Sequence, residues 1–331
     1  MHLKQRIDIM VRLGEYMLSD DTNWLQACAV AHQQNAWFTK TFIDSAIQNI
    51  TTHFLQRSIL EKWATLYAVP IENKHPVSIG IVMAGNIPLV GFHDFLCAFI
   101  AGHHCHIKLS SKDNILLKNL VTKLYDWDEE CKRSILLADM LKGCDAYIAT
   151  GSNNASRYFE YYFSKYPHII RRNRTSVAIL TGEETTQALE QLADDICLYF
   201  GLGCRNVTHI FVPTSYNFMP LLEALSKYDY FKDIHKYKNN YDYNLALHLL
   251  NRVQYMTNES ILLIENESIF SPIAQLNYSF YIDVDDLVAR LPIQDIQCVI
   301  GGHFTPFGSA QTPHIIDYAD GVDTMKFVLS L

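Results

Sequence analysis

Residues Val77–Met83 read VSIGIVM, with no polar alternation beyond Ser78, and the turn AGNIP and an apolar segment, Leu89–Ile100, follow at once. An uninterrupted apolar strand belongs to a sheet covered on both faces, and a strand that turns straight into a helix opens a βαβ unit. The chain then repeats the pattern. Gly102 ends the helix, and a strand is expected at Cys105–Leu109, a helix at Lys112–Tyr125, a further helix ending near Leu141, a strand at Asp145–Ala149 and a helix at Asn154–Tyr166. A second series begins near Ser176: strand SVAIL, helix Glu183–Phe200, strand Thr208–Val212, helices around 218–228 and 243–253, and strands at Ile261–Ile264, Ser279–Val284 and Ile296–Ile300. Before the first strand, residues 1–67 carry apolar side chains at spacings of three and four (Ile43, Ile47, Ile50, Phe54) and read as helices. The expected fold is α/β: two doubly wound parallel-sheet lobes with an N-terminal helical segment.

Composition narrows the function classes. A chain of 331 residues suits two lobes, and 49 % hydrophobic against 19 % charged residues gives enough apolar surface to exclude wholesale disorder. With 27 Lys and Arg against 35 Asp and Glu the net charge is -8, which argues against a dedicated nucleic-acid binder. The longest apolar stretch, Val77–Gly102, contains Asn86, Pro88, His93 and Asp94, so a membrane span is not expected. Eight cysteines form no CxxC pair, and Cys97 and Cys298 sit in apolar runs as small buried hydrophobes. The N-terminal residues are charged throughout, without a signal-peptide core. A reducing, cytoplasmic setting is expected.

Five stretches could carry chemistry. GLGCRN, 201–206, lies between a helix and a strand; its glycines permit close approach, and Arg205 adjoins a candidate nucleophile, Cys204. The same pattern is met by a glycine-rich helix exit that merely contains a thiol. AGNIP, 84–88, sits at a strand's carboxyl end, where ligands of open α/β sheets gather; Asn86 there either donates to an oxyanion or caps the helix. HIKLSSKD, 106–113, offers Lys108, Ser110, Ser111 and Lys112 to a phosphate or ribose, or forms a solvated helix start. In ATGS, 149–152, Thr150, Gly151 and Ser152 either let a cofactor lie across the turn or supply a helix cap. GHHCHIK, 102–108, holds three histidines and a cysteine, but His104 and His106 alternate with His103 and Cys105 along a strand, so the four do not converge and no metal is expected. The aromatic run YFEYYF, 158–163, reads as packing. Walker, Rossmann and nucleophile-elbow motifs are absent.

Taken in order from residue 77 onward, AGNIPLVG, HIKLSS, ATGS, FGLGCRN and HFTPFGSAQ resemble the aldehyde dehydrogenase superfamily, and more closely its acyl-CoA reductase branch. The resemblance implies that Cys204 is the nucleophile, that Asn86 stabilises the oxyanion, and that Lys108, Ser110, Ser111, Thr150, Gly151 and Ser152 hold a nicotinamide cofactor. It also implies a nucleotide-binding lobe with the N-terminal helices at 1–175, a cysteine-bearing lobe at 176–310 and a tail at 311–331 that packs on the first lobe or a partner, its TMKFVLSL reading as strand-like. Two departures refine this. IIRRNRTS, where the superfamily carries its general-base glutamate, has no carboxylate, which disfavours release of a free acid. Ser111 replaces the acidic residue that binds ribose hydroxyls, and with Lys112 beside it NADPH is favoured over NADH. The implied reaction is reduction of an acyl-CoA to an aldehyde through a Cys204 acyl-enzyme. An aldehyde dehydrogenase, a Cys-dependent acyltransferase and an inactive binding or scaffold protein are the alternatives, and a homo-oligomer is possible.

Overall fold

The computed structural model describes all residues, Met1–Leu331, and they form two compact units. The first comprises Met1–Asn173 and Pro313–Leu331, the second Arg174–Thr312.

The first unit starts with helices α1 (Leu3–Met17), α2 (Thr22–Gln34), α3 (Lys40–His53) and α4 (Arg57–Leu66). Their starts are locally encoded: Asp21 accepts from the backbone N–H groups of Asn23 and Trp24, and Thr39 from that of Phe42. Then follow β1 (Ser78–Val82), α5 (Phe92–Ala101), β2 (His104–Lys108), α6 (Leu116–Trp127), α7 (Glu129–Ser134), β3 (Ile135–Leu137), β4 (Ala146–Thr150), α8 (Asn153–Phe163) and β5 (His168–Arg171). The sheet order is β3-β2-β1-β4-β5, and every pair is parallel. The chain moves outward from β1 to β3 and then crosses back to lay β4 on the other side of β1, which makes the β1–β4 junction a topological switch point. The core fills both faces, with α5 buried almost throughout.

The second unit holds β6 (Thr175–Ile179), α9 (Thr186–Cys197), β7 (Val207–Pro213), α10 (Met219–Leu225), α11 (His235–Leu250), β8 (Tyr255–Thr257), β9 (Leu262–Glu265), β10 (Gln275–Tyr281), α12 (Val284–Arg290) and β11 (Ile296–Ile300). Its order is β11-β6-β7-β10-β9-β8, parallel except for the antiparallel edge strand β8. The chain then returns to the first unit, where α13 (Thr324–Leu329) packs on α5. No helix is long and apolar enough to cross a membrane.

Several elements differ from expectation. TMKFVLSL is helical, because Asp323 accepts from the Lys326 N–H and caps it. The helix expected at Lys112 starts at Leu116, after a turn bridged by Ser110 and Asp113. The helix expected to reach Leu141 stops at Ser134 and gives way to β3. Strand β5 was not anticipated, and β10 lies four residues earlier than the predicted Ser279 start. Within YFEYYF the tyrosines are exposed, and only Phe159 and Phe163 stack inward, Phe163 on Tyr147 at 4.0 Å.

Candidate active site

In the first unit the register puts Lys108 and Ala149 on either side of Val82. The segments that follow, AGNIP after β1, Leu109–Asp113 after β2 and Thr150–Ser152 at the end of β4, therefore leave the carboxyl edge of three adjacent strands, astride the switch point. Seven of the eight residues expected to form the site are thus gathered along one edge.

The AGNIP and 110–113 turns interlock. A methyl group on Gly85 would lie 2.5 Å from Ser110 Oγ and 3.1 Å from the Asp113 backbone nitrogen, so only glycine fits. Leu89, buried and at φ 56, donates its N–H to Asp113 Oδ2 at 2.7 Å; a left-handed conformation costs an L-residue roughly 1–2 kcal/mol. Burial pushes the Asp113 carboxyl up to about 6, the Leu89 N–H pulling against it. Asn86 is half-buried and is not the helix cap; that position belongs to Gly91, three residues after the turn expected to open the helix. Lys108, Ser111 and Lys112 are exposed, and Ser110 Oγ accepts from the Lys112 N–H at 3.2 Å.

ATGS shows its architectural duty directly. Ser152 caps α8 by accepting from the Ala155 N–H at 3.3 Å. A methyl on Gly151 would strike the Phe159 ring at 2.8 Å and Ala155 at 2.9 Å, so this glycine lets α8 close on its strand. The helix start consequently stands at the end of β4 with first-turn N–H groups available to an anion.

Cys204 belongs to the second unit. It precedes β7 and so lies at the amino edge of its sheet, opposite in sense to Asn86 on its own sheet. After α9, Tyr199, Phe200 and Gly201 are left-handed in succession (φ 56, 58 and 72). This turn is held by packing, Phe200 lying 4.6 Å from Phe231 between ring centroids, and by Asn206. The fully buried Asn206 amide donates to the carbonyls of Asp195 (3.0 Å), Ile196 (3.3 Å) and Leu198 (2.8 Å), and its oxygen accepts from the Gly203 N–H at 2.8 Å. These carbonyls are the ones a helix end leaves without partners. Ser176 Oγ donates to the Cys204 carbonyl and accepts from the Cys298 N–H, each at 3.1 Å. Arg205, expected beside the Cys204 thiol, donates to the Cys298 sulfur at 3.2 Å.

Helix α9 also holds the PFGSA segment. Asp195 accepts from the N–H groups of Gly308 (2.7 Å) and Ala310 (3.0 Å). Burial pushes its carboxyl up to about 7, against the two hydrogen bonds. FGLGCRN and PFGSA, a hundred residues apart in sequence, thus share one helix as anchor. Of the eight cysteines, only Cys28 and Cys204 are partly exposed. Cys28 lies inside α2, its thiol pushed up to about 12 by burial and by Asp44; burial also raises Cys97, Cys105, Cys131 and Cys197.

The histidine stretch divides between two surroundings. His103 accepts from the Val77 N–H and donates to the Val328 carbonyl, whereas His106 meets the Cys144 sulfur at 3.5 Å. Sequence reasoning missed Asp113, Asn206 and Asp195. Asp113 and Asn206 stood inside stretches that had been singled out, HIKLSSKD and GLGCRN, but their bonds to the Leu89 and Gly203 N–H groups leave no mark in the pattern, and Asp195 lay in a helix outside all five stretches.

Comparison with known proteins bears on the family and the fold. The chain is 27 % identical over 232 residues to long-chain acyl-protein thioester reductase 2 of Photobacterium leiognathi, a match covering 63 % of this chain and 47 % of that protein. The chain spans about half the length of that relative. Its fold is similar to aldehyde dehydrogenase 21 of Physcomitrella patens (TM-score 0.66, 12 % identity, 91 % of this chain and 74 % of that one). It is also similar to an NADP-dependent enzyme of E. coli (TM-score 0.65, 12 % identity, 91 % and 73 %). The profile of the acyl-CoA reductase (LuxC) family matches residues 35–225, more than half of the sequence and inclusive of the Asn86, Lys108 and Cys204 turns, and the chain, aldehyde-dehydrogenase-like in fold, belongs to that family.

Proposed function

We propose that this chain reduces an acyl-CoA thioester to an aldehyde, with Cys204 as nucleophile and NADPH as reductant. The observation that carries the reading is the Cys204 turn: a half-buried cysteine in a backbone conformation fixed from within by Asn206 and Ser176. A nucleophile needs that combination of access and fixed direction. The family membership and the name of the Photobacterium relative support a thioester as substrate.

Cys204 sulfur attacks the thioester carbonyl, the Asn86 amide and the Cys204 N–H donate to the oxyanion, and CoA departs as thiolate to leave a Cys204 thioester. Exchange of one thioester for another is close to balanced in energy, so the absence of a carboxylate in IIRRNRTS does not obstruct it. The residues present fit a dinucleotide: a strand edge at a switch point, exposed Lys108 and Lys112, hydroxyls at Ser110 and Ser111, and the α8 N-terminus behind Thr150, Gly151 and Ser152. No carboxylate stands at Ser111 to repel a 2'-phosphate, which supports NADPH over NADH. When bound, the reduced nicotinamide supplies hydride to the acyl carbon. Cys204 holds that carbon in place and leaves as thiol when the aldehyde departs.

The test is oxidation of NADPH and of NADH by purified protein with acetyl-, octanoyl- and palmitoyl-CoA, with free CoA followed in parallel. Acyl-CoA-dependent oxidation that vanishes in Cys204→Ala, with nucleotide binding retained, is the expected result. Cys204-dependent CoA release without oxidation would make the protein an acyltransferase, and silence in both signals would favour a binding role.

A further inference from the structure

The AGNIP loop is fastened at two points on either side of Asn86, and both fastenings lead to one short turn. On one side, Gly85 lies against the Ser110 side chain with no room for a methyl group. On the other, the left-handed Leu89 gives its N–H to Asp113 Oδ2 at 2.7 Å. The turn closes on itself, since the Asp113 N–H donates to the Ser110 carbonyl at 3.1 Å. Asp113 is buried, and its second oxygen, Oδ1, makes no hydrogen bond. A neutral acceptor would hold Leu89 with less desolvation; a carboxylate holds it with a stronger, charge-assisted bond.

We propose that Asp113 is a positioning residue for the oxyanion: its carboxylate locks Leu89 left-handed and thereby fixes the direction of the Asn86 amide for acylation of Cys204. This rests on the reading of Asn86 as the oxyanion donor. The lock reaches Asn86 through three residues of backbone, so Asp113 touches neither substrate nor nucleotide. The carboxyl, raised to about 6, is largely ionised at neutral pH and serves there as a charged acceptor.

The experiment has two readouts on the full chain, the first-turnover release of CoA from palmitoyl-CoA and backbone amide exchange across residues 85–91. In Asp113→Ala the burst should slow about 10- to 100-fold with KM altered less than about threefold, and the amides should exchange faster. Asp113→Asn keeps an acceptor for Leu89 and should stay within about threefold of wild type on both readouts. Asn86→Ala should slow the burst about 100-fold, and adding Asp113→Ala to it should change little further, within about twofold, because the two act as one unit. Should D113A fold poorly, Asp113→Ser, polar but too short to reach, is expected to behave as D113A does. Unaltered amide exchange in D113A overturns the lock. Multiplicative effects in the double variant overturn the claim that Asp113 acts through Asn86. A wild-type burst in N86A, with exchange still faster in D113A, overturns instead the underlying reading of Asn86.

Discussion

Asn206 offers its side-chain amide to four backbone groups at once, so its replacement has a calculable consequence. Asn206→Ala removes four hydrogen bonds and strands buried carbonyls at the end of α9. A loss of about 3 kcal/mol is expected, more than a single bond is worth because the abandoned acceptors stay buried. Urea unfolding checks it, and turnover should fall with it as the Cys204 turn loosens. Asp195 makes a prediction about pH. Burial raises its carboxyl to about 7 in the folded chain against about 4 for an ordinary aspartate, so the native state binds more protons than the unfolded one between these values. Its contribution to stability is full below about pH 4 and is lost as pH rises through about 7, a span of about 4 kcal/mol. Melting temperature followed from pH 4 to 8 should show that decline, and Asp195→Asn should flatten it; an identical slope in the variant would remove the attribution to Asp195.

At the scale of elements, the junction between the β1 and β2 turns depends on one absent methyl group. Gly85→Ala brings a carbon to 2.5 Å from Ser110 Oγ and 2.7 Å from its Cβ. Overpacking of this kind costs about 1–3 kcal/mol. Weaker nucleotide binding in a fluorescence titration should accompany the lower stability, and Ser110→Gly in the same chain should restore part of both. This junction also shows what was legible beforehand. A continuous apolar strand running into AGNIP and an apolar helix has a local signature, and so have the strand-to-turn steps at Lys108 and Thr150. The placement of Asn86, Lys108 and Ser152 at the carboxyl ends of their strands was therefore reachable from the sequence. Asp113 was not, because its partner is the Leu89 N–H on another turn and no periodicity encodes that bond. Short elements failed for a related reason. Three residues of β3 and four of β5 are too few to display a period, and TMKFVLSL alternates well enough to imitate a strand until Asp323 supplies the cap.

For the molecule as a whole, the C-terminal return matters more to the first unit than its length implies. Ile315, Tyr318, Met325 and Val328 are buried in the same core as α1–α5. Tyr318 OH accepts from Trp63 Nε1, and Thr324 Oγ1 accepts from Arg171, which also pairs with Asp94 in the interior. Deleting Pro313–Leu331 should abolish cooperative unfolding of the first unit, read by near-ultraviolet circular dichroism. Asp94→Ala, which leaves Arg171 buried without its counter-ion, should cost about 3–5 kcal/mol. Helix α9 has a different consequence. One of its anchors, Asn206, carries no ionisable group, while the other, Asp195, gains a proton near neutrality and then has one oxygen fewer to offer Gly308 and Ala310. Mild acid therefore slackens the 308–310 segment and leaves the cysteine's seat untouched, giving one helix a fixed end and an adjustable one.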